Sequence, residues 1–162
     1  MKLVTHYVFS TGLLTLLSSI FLNFYNAFLL SSIIAVIGNT IIDRLGHKEI
    51  HTRRGLIPVR TPLTHTVPRS VLWGWLPALV LIVISALTGY HKGVIVVSLI
   101  ALLNGPSHMF LDVFTENGIY VKKNGRWRRF ALAHFSYDNP LVNGMAIMAG
   151  IMMLFVAMHS IS

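Results

Sequence analysis

The chain has 162 residues, 54% hydrophobic and only 11% charged; soluble domains carry about 25% charged residues, so a water-facing surface of ordinary polarity cannot be built from it. It has no cysteine, which excludes disulfides, thiolate metal ligands and cysteine nucleophiles. Thirteen lysines and arginines against five acids leave a net charge of +8, and with a mean hydropathy of +0.69 that excess reads as membrane topology and attraction to anionic lipid.

A helix needs about 20 apolar residues to cross the hydrocarbon layer. The first such run covers 3–22, with Lys2 ahead of it and a short turn from Asn23 to Asn26 behind it. Its length, and the lack of a small-residue cleavage site before Asn23, predict a mature helix and not a secretion signal. The second run covers 27–42 and meets no charge until Asp43. A polar, basic stretch fills 43–69. The third run is 70–87, turning over Thr88 to Gly93, and the fourth is 94–114, with His108 and Asp112 in its last turns. A second basic stretch spans 116–138, and the fifth run is 141–158. Tyr137-Asp138-Asn139-Pro140 predicts a turn into that helix, with Asn139 or Asp138 as cap and Pro140 in the first turn. The expected fold class is all-α: a single integral membrane bundle of about five transmembrane helices.

The charges sort along this division. The stretch 43–69 holds Arg44, Lys48, Arg53, Arg54, Arg60 and Arg69, and 116–138 holds Lys122, Lys123, Arg126, Arg128 and Arg129. With five crossings, these and Lys2 share one side, which leaves only Lys92 opposite. The positive-inside rule then places the N-terminus and both basic loops in the cytoplasm and the C-terminus outside, in a multi-pass plasma (inner) membrane protein. The expected partners are membrane lipids, anionic ones first. No nucleic acid is expected, and an oligomer is compatible with the pattern.

Ionisable groups at membrane depth are expensive and point to function. On this topology His6, Asp43, His47, His65, His108 and Asp112 gather at the ends of four helices on one side, while His91 and His159 fall on the other. Asp43 and His47 are four residues apart, as are His108 and Asp112, so each pair shares a helix face and can give two ligands to one ion. Imidazole with carboxylate suits a divalent zinc, iron or manganese ion. Thr5-His6-Tyr7-Val8 and Thr64-His65-Thr66-Val67 each precede an apolar run, and the following run in each case ends near an aspartate, Asp43 or Asp112. The chain thus reads as two parallel hairpins, helices 1–2 and 3–4, whose axis would draw His6, Asp43, His65 and Asp112 to one centre.

Glu116, four residues beyond Asp112, is the candidate catalytic base if the helix continues. Arg60, Arg126, Arg128 and Arg129 are candidates for phosphate or headgroup contact, since guanidinium groups grip phosphate in pairs of bonds. His51 and His134 read as solvated loop residues. Met145, Met148, Met152, Met153 and Met158 follow a helix with no histidine at matching depth, and read as lipid-facing or packing residues.

The same positions carry a resemblance. Thr5-His6, Asp43 with His47, Arg60 with Thr64-His65-Thr66, and above all His108-Met109-Phe110-Leu111-Asp112-Val113-Phe114-Thr115-Glu116-Asn117-Gly118 look like the conserved elements of the YdjM-like membrane-bound metal-dependent hydrolases. Within that circle the chain is similar to a group of uncharacterised archaeal membrane proteins. The last element matches the family's His-x-x-x-Asp-x-x-Thr-x-x-Gly pattern, and the resemblance covers roughly residues 1–120. There are two departures. The family's Pro-Asp-x-Asp-His cluster is reduced here to one aspartate between Asn39 and His47, and Arg60 stands one residue further from Thr64 than in the family.

The resemblance implies a metal-dependent hydrolase. The expected function is hydrolysis of an ester or phosphoester, with a lipid headgroup among the candidate substrates, at the cytoplasmic interface. The alternative is a non-enzymatic small transporter or lipid-binding scaffold, whose His/Asp cluster is an ion site or a set of interhelical hydrogen bonds.

Overall fold

The computed structural model describes residues 1–52, 55–89 and 91–160, and 67% of the chain is helix. The bundle comprises α1 (Leu3–Ser18), α2 (Phe24–Gly46), α3 (Val67–Thr88), a rod made of α4 (Lys92–Ile100), a 3-10 turn (Ala101–Leu103) and α5 (Asn104–Asp112), and α6 (Pro140–His159). Four of these segments, Phe24–Gly46, Val67–Thr88, Gly93–Asp112 and Pro140–His159, are long and apolar enough to cross a membrane.

Local chemistry sets the helix ends. Asn23 accepts the Asn26 N–H, so α2 starts at Phe24, three residues before the run of unbroken hydrophobicity expected at 27. Thr66 caps α3 through the Arg69 N–H, with Pro68 in the first turn, and Asn139 caps α6 by accepting from Leu141 and Val142. The 3-10 turn in the fourth rod precedes Pro106, which has no N–H for the Leu102 carbonyl and so interrupts the ladder.

The first helix corrects the expected span 3–22, because it stops at Ser18. Its 16 residues reach about 24 Å at 1.5 Å per residue, less than the other rods. It compensates by position: it packs against α2, α5 and α6 inside the bundle, with Thr5, His6, Ser10, Thr11, Thr15 and Ser18 buried. Close helix approach rests on glycine. A Cβ on Gly105 would stand 1.9 Å from the Ser70 carbonyl oxygen, and one on Gly12 would stand 2.3 Å from the Gly150 oxygen, so α5–α3 and α1–α6 contact nearly backbone to backbone.

The two basic stretches are not plain loops, and α2 runs on past the expected stop at 42. Each stretch folds into an antiparallel hairpin: β1 (His47–Thr52) pairs with β2 (Gly55–Arg60), and β3 (Ile119–Lys123) with β4 (Arg126–Phe130). The second hairpin turns at Asn124-Gly125, both at positive φ (51° and 75°), the backbone that a two-residue type I′ turn requires. Arg53 and Arg54 lie outside the described residues. Both hairpins leave the bundle at the end where Asp43 and Asp112 sit, and Lys92 opens α4 at the other end. An apolar core of Leu14, Ile34, Ala35, Ala78, Val97 and Ala101 fills the interior away from the hairpins.

Candidate metal centre

Three helices and one loop converge below the hairpins. The first turns of α1 carry His6. The last turns of α2 carry Asn39, Asp43 and, at its cap, His47. The fourth rod ends with Asn104, His108 and Asp112 on α5. Thr64 and His65 stand just before α3. The four-residue spacing stacks Asn39 with Asp43 on one face of α2, and Asn104, His108 and Asp112 on one face of α5.

Asp112 is fully buried. Its Oδ1 accepts from Arg60 Nη2 (2.7 Å) and from the Met1 amino group (2.9 Å), and lies 3.3 Å from His6 Nε2. Its Oδ2 faces His108 Nε2 at 3.2 Å and His65 Nε2 at 3.6 Å. Asp43 Oδ1 faces the same two nitrogens, at 3.5 and 3.8 Å. His6, from the first pair of helices, thus lies beside Asp112 of the second, while His65 faces both Asp112 and Asp43. The His6 and His108 rings stack in parallel, 3.7 Å apart.

Hydrogen bonds on the far side of each ring decide which nitrogen carries the proton. Asn39 Nδ2 donates to the Ala35 carbonyl (2.7 Å) and to Asn104 Oδ1 (3.2 Å), so its Oδ1 is left to accept from His108 Nδ1–H at 2.7 Å. Thr64 Oγ1 donates to the Ile42 carbonyl and therefore accepts from His65 Nδ1–H at 2.9 Å. His47 Nδ1–H donates to the Asp43 carbonyl, 2.7 Å away. In each of the three rings Nδ1 is thus the donor, which leaves Nε2 as the nitrogen that could hold a metal ion. Burial also pushes His65 down to about 4, so it is uncharged at neutral pH.

At His65 and His108, Nε2 faces carboxylate oxygen. His6 Nδ1 and Nε2, His65 Nε2, His108 Nε2 and Asp112 Oδ2 are all buried and none has a hydrogen-bond partner among the described residues. Leaving such groups unsatisfied costs about 1–3 kcal/mol each, and a cation among them removes that cost. The spacing fits: ligands bound at 2.0–2.1 Å around a tetrahedral ion stand about 3.3 Å from one another, and the nitrogen–oxygen separations here are 3.2–3.8 Å. Two sets can each hold an ion, His6 with His108 and Asp112, and Asp43 with His47 and His65, the donor atoms of each within 4.8 Å of one another.

All six expected ligands are thus brought together. Of the other candidates, Arg60 is nearly buried and fully engaged: Nη1 donates to Thr115 Oγ1 and the Gly118 carbonyl while Nη2 grips Asp112, so it orients a carboxylate. The fourth rod ends at Asp112, so Glu116 does not continue a helical face with it. It is exposed in the turn that follows, its N–H bonded to the Phe135 carbonyl. Even so, Glu116 lines a cavity of about 600 Å³ with Asp43, His47, Arg60, Arg129 and Tyr137. Arg126 and Arg128 lie on the exposed strand β4 and are not among the residues lining it. His51, His91, His134 and His159 are exposed and outside the two sets. Asp138 is exposed too; a hydrogen bond from Ser136 holds its carboxyl below the usual range. Sequence reasoning missed Asn39 and Asn104, and named Thr64 and Thr115 within motifs without giving them a role. The four-residue repeat on α2 and α5 was the signal for the two asparagines.

The sequence model of a family described as a protein of unknown function (DUF1286) matches residues 1–111, more than half of the chain. The chain belongs to that family. The matched segment holds His6, Asp43, His47, His65 and His108, five of the six clustered residues, and stops one residue before Asp112. No curated protein and no solved structure matches the DUF1286 chain.

Proposed function

We propose that this protein is a membrane-embedded, metal-dependent hydrolase that cleaves an ester or phosphoester at the cytoplasmic face of the plasma (inner) membrane. The observation that carries the reading is the set of buried atoms His65 Nε2, His108 Nε2 and Asp112 Oδ2, which face one another with no hydrogen bond among them. The resemblance to the YdjM-like hydrolases supports the reaction class, and the cluster of basic residues at the hairpin end supports the orientation.

His6, His108 and Asp112 would hold one divalent ion, and Asp43, His47 and His65 a second; zinc, manganese and iron all suit these donors. Such ions supply a Lewis acid and water of lowered pKa. The chain's own part is to fix the ligands through Asn39, Thr64 and Arg60, and to accept the water proton at Glu116 on the cavity wall. Elemental analysis of protein purified without chelators should find bound divalent metal, and His65→Ala should lower its content. Unchanged metal after that substitution sinks the assignment. Glu116→Gln should leave the metal in place and slow turnover by about 10²- to 10⁴-fold.

A second reading, a small transporter, draws on buried hydroxyls of Thr15, Ser18, Ser31 and Ser98 that have no partner among the described residues. Cation or proton flux in proteoliposomes, abolished by Asp43→Asn in protein free of metal, would favour it.

A further inference from the structure

The cavity beside the ligands has a wall of definite charge. Asp43, Glu116, Arg60, Arg129 and Met1, whose amino group bonds Asp112, supply its ionic groups, with His47, Asn117 and Tyr137 as further polar ones. Arg60 is neutralised by Asp112. Arg129 is different. Its Nε donates to Tyr120 Oη at 3.3 Å and its guanidinium sits 6.0 Å over the Tyr120 ring, while Tyr120 in turn donates to the Arg60 carbonyl. The arginine is thereby tethered at Nε, with both Nη groups lacking any carboxylate partner among the described residues. Once Asp43 is matched by a divalent ion, that ion and Arg129 leave the wall a positive excess, even after Glu116 is counted.

We infer that this cavity binds a phosphate monoester, with Arg129 as the residue that selects the phosphate group. The inference rests on the hydrolase reading and narrows it from any ester to one whose cleaved group is a dianion. A neutral carboxylic ester would offer the Arg129 fork a single uncharged carbonyl oxygen, whereas a terminal phosphate offers three charged unbridged oxygens, enough to meet a guanidinium on one side and the His/Asp centre on the other. The reaction is balanced by water alone: water adds to phosphorus, the P–O bond to the alcohol breaks, the alcohol leaves with a proton, and orthophosphate remains. Orthophosphate, as product, should bind the same wall. Arg126 and Arg128 are excluded from the role by their absence from that wall, and Arg128 also projects from the opposite face of β4.

The test is calorimetric titration of the detergent-solubilised full chain with orthophosphate, with a short-chain phosphatidic acid, and with the phosphatidylcholine of the same chain length, metal content being measured on each sample. The expected result is that one or both phosphate monoanion or dianion probes bind, phosphatidylcholine binds at least tenfold more weakly, and Arg129→Ala weakens phosphate binding by about tenfold or more with metal content unchanged. Lys123→Ala, which removes the same charge from the exposed hairpin, should bind as wild type does. Binding of phosphatidic acid alone identifies a lipid substrate, and binding of orthophosphate with equal or greater strength identifies a soluble one; both support the inference. Equal binding by wild type and Arg129→Ala, or no binding of either phosphate, overturns it. Metal-free protein that still binds phosphate through Arg129 would instead sink the hydrolase reading alone.

Discussion

Asn39 touches no ion in any arrangement proposed here, yet it determines what His108 can do. Its amide is oriented by the Ala35 carbonyl and Asn104, and that orientation forces the proton of His108 onto Nδ1. Asn39→Ala should therefore weaken metal binding by about 10- to 100-fold, the usual cost of losing a partner behind a ligating histidine, while His108 itself stays in place. A competition titration against a chromophoric chelator measures this; an unchanged affinity would show that the tautomer is set elsewhere. At this scale the sequence was informative about which ionisable residues gather and silent about the amides that hold them. His6, Asp43, His47, His65, His108 and Asp112 stand out because charge at membrane depth is rare. Asn39 and Asn104 do not, since uncharged amides in apolar helices are commonly interhelical hydrogen bonds. The role of Arg60 was misjudged for a related reason: an arginine in a basic stretch looks free until the fold brings a buried carboxylate to it.

Among the elements, the helices were legible and the hairpins were not. Runs of apolar residues mark a helix whatever it packs against, so the centres of α2, α3 and α6 fall where hydropathy puts them, and only the caps at Asn23, Thr66 and Asn139 move the ends. The strands are short, and β3 and β4 are basic and largely exposed, without the alternation that would separate them from a loop, although Asn124-Gly125 was a readable turn signal. That turn gives a clean local test. Gly125→Ala has open space around the new Cβ but keeps a φ of 75°, so it should cost about 1 kcal/mol of hairpin stability, seen as faster amide exchange in β3 and β4, with metal content unaffected. Gly105→Leu is the opposite case. Its side chain has no room against the Ser70 backbone, so α5 must separate from α3. A loss of well above 1–3 kcal/mol is expected, read as a lower melting temperature in detergent together with loss of bound metal, because α5 carries two ligands.

For the whole molecule, topology is the claim most easily checked, because the chain has no cysteine of its own. Single replacements His91→Cys and Lys123→Cys sit at opposite ends of the bundle, one before α4 and one on β3. In sealed inverted vesicles an impermeant thiol reagent should label position 123 and spare 91; in intact cells the pattern should reverse. Labelling of both from one side would remove the membrane-crossing arrangement on which the orientation depends.

The two carboxylates at the centre differ in exposure: the Asp112 side chain is sealed at 0% while Asp43 is 20% exposed beside the cavity. Any ion in the inner position would have to arrive first and leave last, with its neighbour standing in the doorway. A strong chelator should accordingly strip the protein in two kinetic steps, a quick one for the ion at Asp43 and a slow one that waits for the bundle to open. Loading a first and a second kind of metal in succession would then leave each trapped in a known place, and the order of addition, more than relative affinity, would decide which one occupies the interior.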